Sequence, residues 1–164
     1  MPEGDRRERR EMELQRREAV LGRASFFAGW ADYYLGLAGG SDPASLYKQA
    51  REIFRDLLQL GDLPYHDLDG AWLGLESAWR CRAVIGLGLV EAALGNVSES
   101  ESVLRLLQHA SVPPEFQDQA AYWLVQGLLN AGRYEAARDR AESIISGFAA
   151  GASPGKFSLA VGLV

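Results

Sequence analysis

Glycine closes almost every apolar segment of this chain. Gly39-Gly40, Gly61, Gly95, Gly132 and Gly147 each follow a stretch whose apolar residues recur at three- and four-residue intervals, the period of one helix face. A glycine just past such a stretch supplies the left-handed residue that ends a helix. Start signals follow: Ser41-Asp42-Pro43 offers a cap and then a proline, Ser98-Glu99-Ser100-Glu101 has capping-box spacing, and Pro113-Pro114-Glu115 opens another segment. β-branched runs alternating with polar residues are nearly absent, so no sheet is expected. The punctuation predicts six helices, at roughly 5–38, 43–60, 69–94, 98–110, 114–130 and 134–146. Most connections are short, and short connections make neighbouring helices pack antiparallel. The exception, residues 61–70, reads GDLPYHDLDG and holds two turn signals.

At 164 residues the chain fits one domain with an adequate core. Its net charge of −5 and pI near 5.1 argue against nucleic acid as a main partner, because phosphate binding requires basic surface. The charge is uneven. Residues 1–23 carry seven Arg against six acids, whereas the remainder carries ten bases against 16 acids. The start, 3–23, is poor in apolar residues and rich in opposite charges four apart, such as Arg7 with Glu11 and Glu13 with Arg17. That pattern predicts a solvated extension of the first helix. Met12, Leu14 and Val20 are too few to make this extension a coiled-coil seam. The N-terminus lacks the apolar core of a signal peptide, and the longest apolar stretch, 83–94, is interrupted by Glu91 and too short to span a bilayer. The single cysteine, Cys81, allows no internal disulfide. A soluble, cytoplasmic protein without membrane partners is expected.

Residues 121–137, AYWLVQGLLNAGRYEAA, resemble a tetratricopeptide repeat, in which a Leu and a small residue in helix A precede a turn of Gly-x-Tyr-x-x-Ala opening helix B. Leu124, Gly132, Tyr134 and Ala137 match; Val125 stands where the family prefers Gly. A second hairpin matches at Leu87-Gly88, Gly95 and Leu104, with Ser100 where the family has Ala. A first matches in helix B at Tyr47, Ala50, Phe54 and Leu57, with Phe27, Trp30, Ala31 and Tyr34 compatible in helix A and an inserted loop at 39–45. The matched helix B positions Ala50, Ser100 and Ala137 are spaced by 50 and then 37 residues. The resemblance covers about residues 24–148 and implies an all-α fold: antiparallel hairpins stacked as a short right-handed α-solenoid, because one hairpin cannot bury its own apolar face. Val161-Gly162-Leu163-Val164 echoes Leu87-Gly88-Leu89-Val90. The apolar tail is therefore expected to be half of a fourth repeat, and the chain a piece of a longer repeat protein.

Residues that could carry chemistry do not assemble. His66 lies in a loop with Asp67 and Asp69, short of a metal-binding set; a solvated turn, with Asp69 capping the next helix, accounts for it. His109 sits near a helix end. Cys81 lies between Arg80 and Arg82, but neighbours in a helix point in different directions, so a buried structural thiol is expected. No phosphate loop, dinucleotide fingerprint, HExxH or GxSxG occurs. No catalytic residue, cofactor or metal is assigned. Trp30, Tyr34 and Trp123 are expected in the inter-helix core.

The resemblance implies a concave face lined by helix A residues: Asp32 and Leu35, then Ile85 and Leu89, then Tyr122, Gln126 and Asn130, with Arg82 and Gln119 at the edge. None of these helices carries Lys, so a clamp on a peptide's terminal carboxylate is not implied. The expected function is an adaptor that holds a peptide segment or partner protein in this groove. The alternative is a structural segment that packs within its own assembly, self-associating through residues 156–164.

Overall fold

The structure is a computed structural model, and it describes residues 3–70, 74, 75, 77–117 and 119–149. The expected fourth-repeat tail and Trp72 lie outside these. The described residues contain helices and no strand. The helices are α1 (Glu3–Leu37), α2 (Pro43–Leu57), α3 (Ala78–Ala93), α4 (Val97–Arg105), α5 (Pro114–Gln117), α6 (Ala120–Asn130) and α7 (Tyr134–Ala149). Helix α1 packs on α2, α3 on α4, and α6 on α7. The pairs join through α2 and α6, each of which also packs on α3.

Local signals explain most boundaries. Asp42 caps α2 by accepting from the Ser45 N–H at 3.1 Å, with Pro43 at the first helical position. Gly39, Gly95 and Gly132 take positive φ between helices, the conformation that side chains with a Cβ resist. Other boundaries depart from expectation. Helix α2 stops at Leu57, and Gln59, a non-glycine, takes φ 58° while the Leu60 N–H returns to the Arg55 carbonyl. This early stop turns Leu58 and Leu60 into the core. The expected helix 69–94 begins only at Ala78, so Asp69 does not cap it; Ser77 holds that position. Asn96, not Ser98, holds the N-cap position of α4, which passes at Leu106–Gln108 into one tight 3-10 turn. The segment 114–130 divides into α5 and α6, with Phe116 drawn into the core. Helix α7 continues through Gly147.

Helix α3 is the centre of the fold. Cys81 and every residue from Ala83 to Ala92 are buried. An α-helix apolar on all sides must be covered on all sides, and α1, α2, α4 and α6 cover this one. Glycines bring them close. A Cβ at Gly86 would lie 2.5 Å from the Phe54 ring of α2, and one at Gly88 would lie 2.6 Å from Leu104 of α4. Helix α1 meets the same Phe54 ring at Gly29, so the ring is gripped between two glycine faces. Ser100, fully buried, donates to the Gly88 carbonyl at 2.7 Å. That bond explains how a hydroxyl is accommodated at a close-packed position.

Candidate functional site

The burial of α3 divides the expected concave stripe. Ile85 and Leu89 are 3% and 2% exposed, so neither reaches a surface; Leu89 packs beneath Gly127 of α6. Both assignments are corrected to core, because α6 lies directly on α3 where a groove floor was expected. Tyr122, Gln126 and Asn130 do share one face of α6, at four-residue spacing. They form a chain in which the Tyr122 hydroxyl donates to Gln126 at 3.4 Å and the Gln126 amide donates to Asn130 at 2.9 Å. The Asn130 amide then donates to the Tyr33 hydroxyl of α1 at 3.0 Å. Burial pushes the Tyr33 phenol up to about 12, although the bond from Asn130 opposes the shift. Gln119 accepts from the Trp123 indole at 3.2 Å. Arg82 is exposed, with its guanidinium 5.9 Å from the Phe116 ring centre. Asp32 is half-buried and Leu35 exposed; Leu35 follows buried Tyr33 by two residues and so points away from the core. The stripe therefore does not form one open surface, and its α6 part has its polar atoms bonded to one another.

A buried polar node lies within α3's apolar run, at its one charged residue. Glu91, 2% exposed on α3, accepts from the Tyr65 hydroxyl at 2.5 Å and from the Asn96 side-chain amide at 2.7 Å. Arg55 lies over the Tyr65 ring at 5.0 Å and donates to the carbonyls of Gly61 and Leu63. Burial first, and the bond to Glu91 second, raise the Tyr65 phenol well above its ordinary value. The node ties α2, the 61–70 loop, α3 and the α3–α4 turn together. Its only mark in sequence was a lone Glu within an apolar run. Tyr65 and Leu68 dock the loop on the core, while His66, Asp67 and Asp69 stay exposed on its turn, as expected for a solvated segment.

Both histidines border one open cleft of about 400 Å³ with Tyr65, Asp69, Gly70 and Arg105. His66 Nε2 is 3.5 Å from Asp67 and His109 Nε2 is 3.7 Å from Asp69. Among the described residues no group of three His, Cys, Asp or Glu side chains could hold a metal ion. Cys81 is buried and its thiol donates to the Leu75 carbonyl at 3.0 Å. Among the described residues no helix is long and apolar enough to cross a membrane.

An extended apolar surface lies on α1. Its inner face carries Phe26, Gly29, Trp30, Tyr33, Gly36 and Leu37 toward the core. The opposite face carries Val20, Leu21, Ala24, Phe27, Ala28, Ala31, Tyr34, Leu35 and Ala38, and all nine are exposed. Phe27 is 68% and Tyr34 59% exposed, so Tyr34 is corrected from core to surface; Tyr33 holds the buried place. Comparison with known proteins finds no matching family model, no matching curated protein and no matching solved structure.

Proposed function

We propose that this chain is a protein-interaction module of the tetratricopeptide type, whose stacked helical hairpins hold another protein chain. One observation carries the reading: the outer face of α1 leaves nine apolar residues in solvent over about 27 Å of helix. Five are large, from 54% to 68% exposed. At about 100 Å² for each large side chain and half that for each alanine, the face offers on the order of 700 Å². Contiguous apolar surface of that size marks a site of association. It replaces the concave groove as the docking surface, since Ile85 and Leu89 lie within the core and the Tyr122, Gln126 and Asn130 groups are bonded to each other.

The test is protection of this face. Hydrogen exchange of the chain, alone and in lysate-derived complexes, should show slowed amides along 20–38. A Phe27→Glu, Leu35→Glu variant should recover neither a bound protein nor the protection. Undiminished binding by that variant would move the site elsewhere.

A further inference from the structure

We infer that the occupant of the α1 outer face is a second copy of this chain, packed antiparallel about a twofold axis near Gly29; this rests on the reading of that face as a docking surface. The seam residues Val20, Ala24, Phe27, Ala31, Tyr34 and Ala38 are spaced alternately by four and three, the repeat of a coiled-coil seam. Size alternates with position. Val20, Phe27 and Tyr34 are large, and Ala24, Ala31 and Ala38 are small. Parallel helices in register would set large against large and leave gaps between the alanines. An antiparallel pair centred at Gly29 sets Phe27 of one copy against Ala31 of the other, Tyr34 against Ala24, and Val20 against Ala38. Every layer then holds one large and one small residue, as an isologous interface requires of a self-complementary patch.

The limits of the seam and its area agree. Upstream the seam positions are Glu13 and Arg17, which pair with each other at 2.7 Å, so the apolar contact ends where the arm becomes charged. Two such faces together present on the order of 1,400 Å², within the roughly 1,200–2,000 Å² of stable specific interfaces. Contact made by only one helix from each copy favours a dimer and closes under twofold symmetry.

The full chain is tested by sedimentation and light scattering from low to high micromolar concentration. Twice the 17.9 kDa chain mass is expected. Phe27→Glu should give a monomer with unchanged helix content, because Phe27 is 68% exposed and outside the buried core, whereas Leu129→Glu, on another exposed apolar site, should leave the dimer intact. Orientation is read by a short bis-maleimide. Ala28→Cys, beside the axis, should crosslink, and Ala38→Cys, displaced from its counterpart by about 27 Å, should not. A wild-type chain that stays monomeric overturns the proposal. So does a dimer that survives Phe27→Glu, or equal crosslinking at both cysteines. A monomer that nonetheless loses a bound protein with Phe27→Glu would overturn self-association alone and leave the interaction module standing.

Discussion

Gly88 lies where α3 and α4 come closest, and the cost of filling that gap can be worked out. A Cβ added there would sit 2.6 Å from Leu104 Cγ and 2.8 Å from its Cδ2, whereas carbon atoms rest at about 3.5–4.0 Å. Leu104 must therefore retreat by about 1 Å, but it is 3% exposed and surrounded. Overpacking of this kind costs about 1–3 kcal/mol. Replacing a mid-helix glycine by alanine returns about 1 kcal/mol of helix propensity. Gly88→Ala should then destabilise by about 1 kcal/mol net, and Gly88→Leu by about 3 kcal/mol or more. A double-mutant cycle isolates the collision. Leu104→Ala alone should cost about 2–5 kcal/mol by leaving a cavity. In its presence Gly88→Ala should cost nothing or stabilise, a favourable coupling of about 1–3 kcal/mol. Urea denaturation followed by circular dichroism, at one fixed chain concentration, gives all four corners of the cycle. An additive cycle, or an unchanged melting temperature for Gly88→Leu, would refute this packing of α3 against α4.

Tyr65→Phe removes a donor from the buried Glu91 carboxylate and should cost about 1.5–3 kcal/mol, read from the same urea transitions; Glu91→Gln should cost less than Tyr65→Phe if shape matters more than charge at the node. Gln59, held at φ 58°, should be improved by glycine, so Gln59→Gly is expected to raise stability by about 0.5–1 kcal/mol, and a lower melting temperature would contradict the left-handed assignment. Stability should also fall in alkali. Burial raises the Tyr33 phenol from 10.0 to about 12, so between those values the unfolded chain has lost a proton that the folded chain keeps. The Tyr33 contribution is complete below pH 10 and disappears as pH climbs toward 12. Melting curves from pH 8 to 11.5 should therefore decline more steeply for wild type than for Tyr33→Phe.

The helical class was legible because glycine and proline chemistry is local. Asp42-Pro43 and the left-handed glycines at 39, 95 and 132 need no tertiary context to end or begin a helix. Gly88 and Leu104 are both matching positions of the second hairpin, and the structure brings them together. The surface was not legible. Helix α1 carries apolar residues on two opposite faces, and periodicity alone does not say which face the rest of the chain will cover. Phe27, Ala31 and Tyr34 could be read as core, and the charged arm shares only Val20 with the apolar spacing of 20–38, so the arm by itself shows no seam. Helix α3 offered the opposite lesson. From Ala83 to Ala92 it has a single charged residue and no polar stripe, which already argued against placing Ile85 and Leu89 on an open groove. The Glu91 node was illegible because Tyr65, 26 residues away in sequence, meets it only after the loop has docked.

The bond between Tyr33 and Asn130 joins residues 97 positions apart. In a row of repeats where each pair touches only its neighbours, an end can peel off while the rest persists. Here the first long helix and α6 both pack on α3 and are joined by this one bond, so detaching α6 uncovers a flank of the central helix and exposes the phenol of α1. The molecule should therefore open as a clasp rather than a zipper, its amides exchanging in one slow, shared opening and fraying from the α7 end halting at Asn130.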